Sequence, residues 1–177
     1  MALRVGINGF GRIGRLILRG IIENKRKDIE VVGINDLGSI ELNAHLLRYD
    51  SNHGIFPGEV SIDKDTIDVG SGPIKFMAER DPRNLGWKEL GTDIVFESTG
   101  LFVDRDSSFK HIEAGAYKVL LSATGKDVDL TVVYGVNHDK LEAGHKIVSN
   151  ASCTTNCLAP VADILNKSFG IEKGYMT

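Results

Sequence analysis

The chain has 177 residues, 42% of them hydrophobic, and a formal net charge of −3. This length and composition are typical of one globular domain whose core needs neither a disulfide framework nor a metal. The nearly balanced charge argues against nucleic acid or an anionic membrane surface as the main partner. No apolar stretch reaches the length of a transmembrane helix, and the two cysteines are too few for a disulfide scaffold. We therefore expect a cytoplasmic protein with no membrane association, no nucleic-acid partner and no metal site.

Strand and helix patterns alternate from the start of the chain. A short apolar run at Leu3–Asn8 ends in glycine, and residues 11–24 carry apolar side chains at helical spacing. Residues 30–35 form a second strand of the buried type, and residues 40–50 predict a second helix. A strand, a helix and a strand in so few residues predict a parallel, right-handed βαβ unit.

The middle of the chain has a different pattern. Short alternating segments at 59–62, 66–69 and 73–78 predict a small antiparallel meander, and glycines at 70 and 72 separate the last two. The α/β alternation then resumes. The second half predicts strands at 93–97, 117–121, 130–134 and 146–149, helices at 105–115 and 153–168, and the start of another strand at 172–177.

These elements predict an α/β fold with a Rossmann-type doubly wound, mostly parallel sheet and a small antiparallel insertion. Because residues 172–177 predict a strand that has only begun, we expect the chain to be part of a longer protein.

A glycine-rich turn follows the first strand. Gly9, Gly11 and Gly14 form the pattern G-x-G-x-x-G at the point where the strand ends and the first helix begins. The first glycine permits a tight turn, the second lets a pyrophosphate approach the backbone, and the third lets helix and strand pack closely. The N–H groups and dipole of the helix N-terminus can then hold phosphates. A purely structural glycine turn is the alternative, which the position between strand and helix disfavours.

Asp36 ends the second strand, 22 residues after Gly14 (36 − 14 = 22). An acidic side chain at this place is expected to accept hydrogen bonds from the adenosine ribose hydroxyls. The following residues 37–39 include no arginine to meet a 2′-phosphate, which a carboxylate would also repel. The sequence therefore predicts NAD rather than NADP, although Asp36 alone could instead cap the next helix.

The second informative segment is SNASCTTNC at 149–157. Small polar residues follow a strand and lead into an amphipathic helix, for which Ser152 is a good N-cap. Cys153 would lie in the first turn, where free N–H groups and the helix dipole favour the thiolate. A thiolate beside a nicotinamide can add to an aldehyde, pass hydride to NAD and retain a thioester. A buried structural cysteine is the alternative for Cys153, and we interpret Cys157 as structural.

This chemistry also needs a base to accept the hydroxyl proton. None of the five histidines lies in a pattern that indicates catalysis, so we expect the base to be absent from this chain. The histidines are His45, His53, His111, His138 and His145.

With these segments established, the chain closely resembles the N-terminal half of the phosphorylating glyceraldehyde-3-phosphate dehydrogenases. The last of the shared motifs also marks the sister family, the erythrose-4-phosphate dehydrogenases. The motifs are INGFGRIGR at 7–15, NDL at 35–37, HLLRYDSNHG at 45–54, ERDP at 79–82, ESTG at 97–100, VVYGVNHD at 132–139 and SNASCTTNCLAP at 149–160.

The resemblance implies roles for single residues. Around NAD it implies Arg12 and Ile13 at the pyrophosphate, Asp36 at the ribose, Arg80 at the adenine pocket, and Thr99, Gly100 and Ser122 along the nicotinamide side. At the reaction centre it implies Cys153 as the nucleophile, with its backbone N–H at the oxyanion, and Ser152 and Thr154 at the site of the attacking inorganic phosphate.

The resemblance also implies an NAD-binding domain over residues 1–150 and the start of the catalytic domain over 151–177, with the catalytic histidine and the substrate-phosphate arginine beyond Thr177. The implied activity is the glycolytic oxidation of glyceraldehyde 3-phosphate to 1,3-bisphosphoglycerate, with inorganic phosphate as the second partner, by a homotetramer when full length. The alternatives are an erythrose-4-phosphate dehydrogenase, which releases its acyl group with water, and a bare dinucleotide-binding module without turnover.

Overall fold

The computed structural model describes residues 2–177, along which strands and helices alternate. The α-helices are α1 (Arg12–Glu23), α2 (Ile40–Arg48), α3 (Arg105–Glu113) and α4 (Cys153–Phe169). The strands are β1 (Leu3–Asn8), β2 (Ile29–Asn35), β3 (Tyr49–Asp50), β4 (Gly54–Ile55), β5 (Ser61–Asp63), β6 (Thr66–Asp68), β7 (Pro73–Met77), β8 (Ile94–Glu97), β9 (Lys118–Leu121), β10 (Leu130–Thr131) and β11 (Ile147–Ser149).

Nine of these strands form one sheet in the order β10-β11-β9-β8-β1-β2-β7-β6-β5. The chain therefore starts at the centre of the sheet, adds strands on one side of β1 and then crosses over to add β8 and later strands on the other side. All pairs from β10 to β7 are parallel. This confirms the predicted doubly wound, mostly parallel sheet.

The predicted meander is present, and it extends one edge of the main sheet. Strand β7 pairs with β2 in parallel. Strand β6 pairs antiparallel with both β7 and β5. The predicted helix at 40–50 ends at Arg48 because Tyr49 adopts extended backbone, with φ −122° and ψ 108°. Tyr49 then opens a two-stranded hairpin with β4 that the sequence did not predict.

Different side chains pack against the two faces of the sheet. On one face, Ile7 and Ile34 pack with Phe10 and Leu18 in the main hydrophobic cluster, which α1 covers. On the other face, Gly6 and Gly33 leave room for the indole of Trp87: a Cβ on Gly6 would lie 2.6 Å from the ring. Adjacent residues of a strand point to opposite faces, so both layers rest on the same two strands.

Helix α4 differs from the others because none of its residues is buried. The predicted apolar side of this helix is therefore exposed, including Val161 and Ile164. The strand predicted at 172–177 is wrong: these residues form neither helix nor strand. A strand needs a hydrogen-bonded neighbour, and no described strand pairs with this segment.

Within residues 2–177, no helix combines the length and the apolar character that crossing a membrane requires.

Candidate active site

The carboxyl ends of the parallel strands meet at one edge of the sheet. Asn8, the last residue of β1, pairs with Asn35 of β2 and with Glu97 of β8. The row continues through Leu121 of β9 to Ser149 of β11. Since these positions form one row, the segments that follow them emerge side by side, which is where doubly wound folds bind ligands. Those segments carry the predicted site residues Gly9, Asp36, Thr99, Ser122 and Cys153.

A first cleft of about 330 Å³ opens between the loops that follow β1, β2 and β8. It brings together five of the residues predicted to contact the cofactor, from the glycine loop to the adenine segment. Its lining residues are Asn8, Gly9, Gly11, Asn35, Asp36, Leu37, Glu79, Arg80, Ser98, Thr99, Leu101 and Phe102.

The three loop glycines have distinct environments. Gly9 has φ +86°, and a Cβ on it would lie 2.7 Å from the backbone nitrogen of Thr99. A Cβ on Gly14 would lie 2.1 Å from the carbonyl oxygen of Gly9, so a side chain there cannot coexist with this loop. A Cβ on Gly11 would meet nothing within 4 Å. Gly11 therefore faces open space inside the cleft, as the glycine at a pyrophosphate should.

The N-terminus of α1 has no cap of its own. Its N-cap residue Gly11 offers no side chain, and the first turn contains no acidic residue. Each of the other three α-helices has a side-chain cap, from Ser39, Asp104 and Ser152 respectively. The free N–H groups at the start of α1 and the positive end of its dipole suit an anion in the cleft. A dinucleotide pyrophosphate fits this position.

The carboxylate of Asp36 is held in a fixed orientation on the wall of the first cleft. Its Oδ2 accepts from the backbone N–H of Phe10 at 2.8 Å. Its Oδ1 accepts from the N–H of Gly38 at 2.8 Å and from the side-chain amide of Asn43 at 3.3 Å. The remaining lone pairs suit ribose hydroxyls. The alternative interpretation as a helix cap is wrong, because Ser39 caps α2.

The basic side chains of the glycine loop point away from the cleft. The Arg12 guanidinium pairs with Asp50 of the β3–β4 hairpin at 3.1 Å. The pKa of Asp50 is lowered to about 2, because the backbone N–H groups of His53 and Asn52 donate to it and Arg12 adds its charge. Arg15 donates to the carbonyl oxygen of Phe10 at 2.8 Å. Arg12 can therefore contact a pyrophosphate through its backbone N–H, while its side chain anchors the hairpin.

A second cleft of about 480 Å³ lies between α1 and the start of α4. It brings together the predicted residues Ile13, Ser122 and Cys153. Most of its wall is apolar and Cys153 is part of that wall, an arrangement that suits a flat ring held beside a nucleophile. The lining residues are Ile13, Ile17, Phe96, Leu120, Ser122, Asn150, Ala151, Cys153 and Asn156.

The turn before Cys153 is rigid. The Ser149 hydroxyl donates to the carbonyl of Ala123 at 2.7 Å and accepts from the N–H of Gly125 and of Ala151, each at 3.0 Å. Ala151 is 3% exposed and has φ +60°, a left-handed conformation that costs a non-glycine residue roughly 1 kcal/mol or more. The surrounding bonds hold this strained residue in place.

The N-terminus of α4 presents the thiol. The Ser152 hydroxyl accepts from the N–H of Thr155 at 3.0 Å, which confirms the predicted N-cap. Cys153 is the first helical residue and is exposed, so the structure does not place it as a buried structural cysteine. Cys157 is exposed as well and contributes nothing to the described core, contrary to the structural role interpreted for it.

Several predicted residues flank the clefts instead of lining them. Gly100 lies next to Thr99 with φ +73°, and Thr154 is exposed in the first turn of α4. None of the five histidines lines either cleft.

The sequence did not predict one feature of the site. His111 is fully buried and hydrogen-bonds to Glu97, and Thr99, two residues after Glu97, lines the first cleft. The separation of His111 and Glu97 by 14 residues offers no local signal.

The fold and the two clefts define a dinucleotide-binding domain of the doubly wound class, with an exposed cysteine in the wall of the second cleft. The sequence model described as "Glyceraldehyde 3-phosphate dehydrogenase, NAD binding domain" matches residues 3–105. The model of the C-terminal domain of the same family matches residues 152–177. The chain belongs to the glyceraldehyde 3-phosphate dehydrogenase family, and the cofactor of the matched domain is NAD.

Named relatives match the chain from end to end. It is 64% identical over 177 residues to a glyceraldehyde-3-phosphate dehydrogenase from Xanthobacter flavus, covering all of this chain and 53% of the relative. It is 58% identical over 178 residues to the enzyme of that name from Pseudomonas aeruginosa, with the same coverage. For Geobacillus stearothermophilus the identity is 54% over 178 residues, covering all of this chain and 52% of the relative. The chain thus spans about half the length of the curated relatives it matches.

Proposed function

We propose that this chain is the NAD-binding half of an enzyme that oxidises glyceraldehyde 3-phosphate to 1,3-bisphosphoglycerate. The observation that carries the proposal is the exposed thiol of Cys153 at the capped N-terminus of α4, facing a cleft beside the dinucleotide loop. We propose a boundary between an NAD-binding domain at 1–150 and the start of a catalytic domain at 151–177. The absence of any buried residue in α4 supports this boundary.

The proposed reaction begins with Cys153. Its thiolate adds to the aldehyde carbon, so that a C–S bond forms and the C=O π bond opens to an oxyanion, which becomes a hydroxyl by taking up the proton that the thiol gave up. The free N–H groups in the first turn of α4, including that of Cys153 itself, lie where they can stabilise the developing oxyanion. NAD, when bound, accepts the hydride that the hemithioacetal carbon loses.

The second half of the reaction releases the product from the enzyme. Inorganic phosphate attacks the thioester carbon, the C–S bond breaks, and the Cys153 thiolate is restored. We propose that Ser152 and Thr154, on either side of the nucleophile, hold this phosphate. None of the five histidines faces the second cleft, so the base that accepts the hydroxyl proton is proposed to come from residues outside this chain.

The choice of NAD over NADP is proposed to rest on Asp36. We expect Asp36→Ala to lower the affinity for NAD at least about tenfold, since a single hydrogen bond from a ribose hydroxyl to a carboxylate is worth roughly 1.5–3 kcal/mol. The affinity for NADP should fall less, because the repulsion of the 2′-phosphate disappears with the carboxylate. Titration of both cofactors, followed by intrinsic fluorescence, measures the ratio.

Asp68→Ala is the matched control for this substitution. The Asp68 carboxylate also accepts from two backbone N–H groups, those of Gly70 and Gly72, but it lies on the meander outside both clefts. This control should leave both affinities unchanged. An unchanged NAD to NADP ratio in Asp36→Ala would contradict the assignment of Asp36 to the ribose.

The reaction itself is tested in the full-length protein with two sugars. With glyceraldehyde 3-phosphate and NAD, we expect NADH production to depend on inorganic phosphate and to fall at least about tenfold with erythrose 4-phosphate. Turnover that is faster with erythrose 4-phosphate and indifferent to phosphate would favour the sister activity. Absence of turnover with NAD binding retained would favour a bare dinucleotide-binding module. Assembly as a homotetramer and a cytoplasmic location stay predictions.

A further inference from the structure

A buried polar network lies beneath the first cleft. Glu97 is 2% exposed, and Asn8, Trp87 and His111 are buried beside it. A buried carboxylate is costly unless each of its oxygens is hydrogen-bonded, so this cluster requires a structural or functional reason. The proposed reaction uses none of its members directly.

One end of the network fixes the protonation of His111. The indole N–H of Trp87 donates to Nδ1 of His111 at 3.0 Å. Because an indole nitrogen can only donate, Nδ1 carries no proton and Nε2 carries it. His111 is therefore a neutral imidazole whose Nε2–H donates to Oε2 of Glu97 at 2.9 Å. Trp87 cannot turn away from this bond, because its ring is wedged against Gly6 and Gly33.

The other end fixes two side-chain amides. The backbone N–H of Glu79 donates to Oδ1 of Asn35 at 2.8 Å, so the amide nitrogen of Asn35 faces Asn8. That nitrogen donates to Oδ1 of Asn8 at 2.7 Å, which turns the amide nitrogen of Asn8 toward Glu97. Asn8 then donates to Oε2 of Glu97 at 2.6 Å. A single backbone N–H thus sets the direction of the whole chain of bonds.

Thr99 completes the surroundings of Glu97. Its backbone N–H and its hydroxyl donate to Oε1 at 2.8 Å and 2.5 Å. The hydroxyl oxygen also accepts from the N–H of Leu101 at 3.0 Å, so its own proton is directed to Glu97. All four groups around Glu97 are therefore donors. Only a deprotonated carboxylate accepts from all of them.

The network is connected to the cofactor site through Thr99. The turn at 98–99 lies directly on Gly9: a Cβ on Gly9 would be 2.7 Å from the Thr99 nitrogen. Ser98 adds a hydroxyl that donates to the carbonyl of Gly9 at 2.7 Å. Hydrogen bonds of the Glu97 carboxylate and of the Ser98 hydroxyl therefore both hold the turn at 98–99 that stands against the glycine loop.

We infer that Glu97 is a positioning residue for the dinucleotide: through its donor-lined carboxylate it holds the Thr99 turn against the glycine loop and so shapes the wall of the first cleft. The inference rests on the proposed placement of NAD in that cleft. The rigid frame at both ends, Trp87 with His111 and Glu79 with Asn35, prevents the network from reorganising around a different group. Glu97 acts through Thr99 and does not itself need to contact NAD.

The test replaces one carboxylate oxygen of Glu97 by an NH₂ group. In Glu97→Gln the new NH₂ faces donors in either position: those of Thr99 if it replaces Oε1, and those of Asn8 and His111 if it replaces Oε2. Either clash displaces the side-chain amide, and the Thr99 turn that bonds to it should shift. We expect at least a tenfold weaker affinity for NAD, measured by titrating NAD into the isotopically labelled chain and following backbone amide shifts by NMR. Asp93→Asn is the matched control: it precedes the same strand at the opposite end of the sheet, where its carboxylate accepts from the N–H of Arg4. The control should bind NAD like the wild type.

Two further measurements separate positioning from mere stability. Histidine ¹⁵N shifts of the wild-type chain should show His111 protonated at Nε2 alone at neutral pH. The double variant Trp87→Phe with Glu97→Gln should recover part of the lost NAD affinity, because His111 can then move its proton to Nδ1 and accept from the amide through Nε2. A lower melting temperature with an unchanged NAD affinity in Glu97→Gln would overturn the inference, as would a proton on Nδ1 of wild-type His111. If the wild type shows no shifts with NAD, the cofactor site itself is wrong.

Discussion

Replacing Cys153 with serine is expected to lower the rate of glyceraldehyde 3-phosphate oxidation by the full-length protein by roughly a thousandfold or more. A serine hydroxyl in the first turn of α4 receives the same help from the helix N-terminus, but it is a far weaker nucleophile than a thiolate. The loss should appear in kcat, because an interaction used only in the chemical step has been removed. Affinity for NAD should stay within about twofold, since Cys153 lies outside the first cleft and serine differs from cysteine by a single atom at the wall of the second.

Cys157→Ser provides the control for this experiment. Both cysteines are exposed and both lie on α4, one helical turn apart, so the same atom is exchanged on the same helix. Only Cys153 is at the N-terminus and lines the second cleft. We expect Cys157→Ser to keep its activity within about twofold, and iodoacetamide to label Cys153 first. Equal losses in the two variants would show that the oxidation depends on the helix and not on this thiol.

The parts of the site that sequence predicted well are those in which neighbouring residues carry the whole signal. Gly9, Gly11 and Gly14 describe a strand-to-helix turn, and Ser152 describes a helix N-cap one residue before the cysteine. In both places a local backbone requirement selects the residue type, so the pattern can be recognised without knowledge of the fold. The parallel pairing of the strands was predicted in a similar way, from the alternation of strand and helix patterns along the chain.

The parts that sequence did not predict depend on register. Glu97 meets Asn8 because β1 and β8 end in the same row. His111, on α3, meets Glu97 across 14 residues and Trp87 across 24 residues. Nothing in the local pattern around His111 distinguishes it from the other histidines. The hairpin at 49–55 was not predicted for a related reason: the pattern read as helix continues for two residues beyond Arg48, although Tyr49 already has extended backbone.

The two clefts show why one sheet edge can combine binding and chemistry. The uncapped end of α1 leaves donors for an anion, while the capped end of α4 leaves its first residue exposed as a thiol. Ile13 lies two residues after the first-cleft glycine, Gly11, and lines the second cleft. A dinucleotide that lies across the start of α1 therefore extends from Asp36 toward Cys153.

Gly11→Ala tests this path most directly, because it adds one methyl group to the site and nothing else. A Cβ at Gly11 meets no atom within 4 Å, and the backbone there has φ −68°, which alanine adopts readily. The free energy of unfolding should therefore change by less than about 1 kcal/mol, the loss of a favourable N-cap and the gain in chain stiffness being similar in size. The methyl group would occupy the surface on which the pyrophosphate should lie. We expect affinity for NAD to fall about tenfold to a hundredfold, as for overpacking of a close contact.

Substitutions at two other glycines of the same helix serve as comparisons for Gly11→Ala. Gly20→Ala also meets nothing within 4 Å but lies near the far end of α1, so it should stabilise the fold by about 0.5–1 kcal/mol and leave NAD binding unchanged. Gly14→Ala would press on the Gly9 carbonyl at 2.1 Å and should weaken both folding and binding. Urea unfolding and NAD titration on the three variants separate a methyl that blocks a ligand from one that breaks a loop. If Gly11→Ala binds NAD as tightly as the wild type, the pyrophosphate does not cross the start of α1, and the proposed path from Asp36 to Cys153 fails with it.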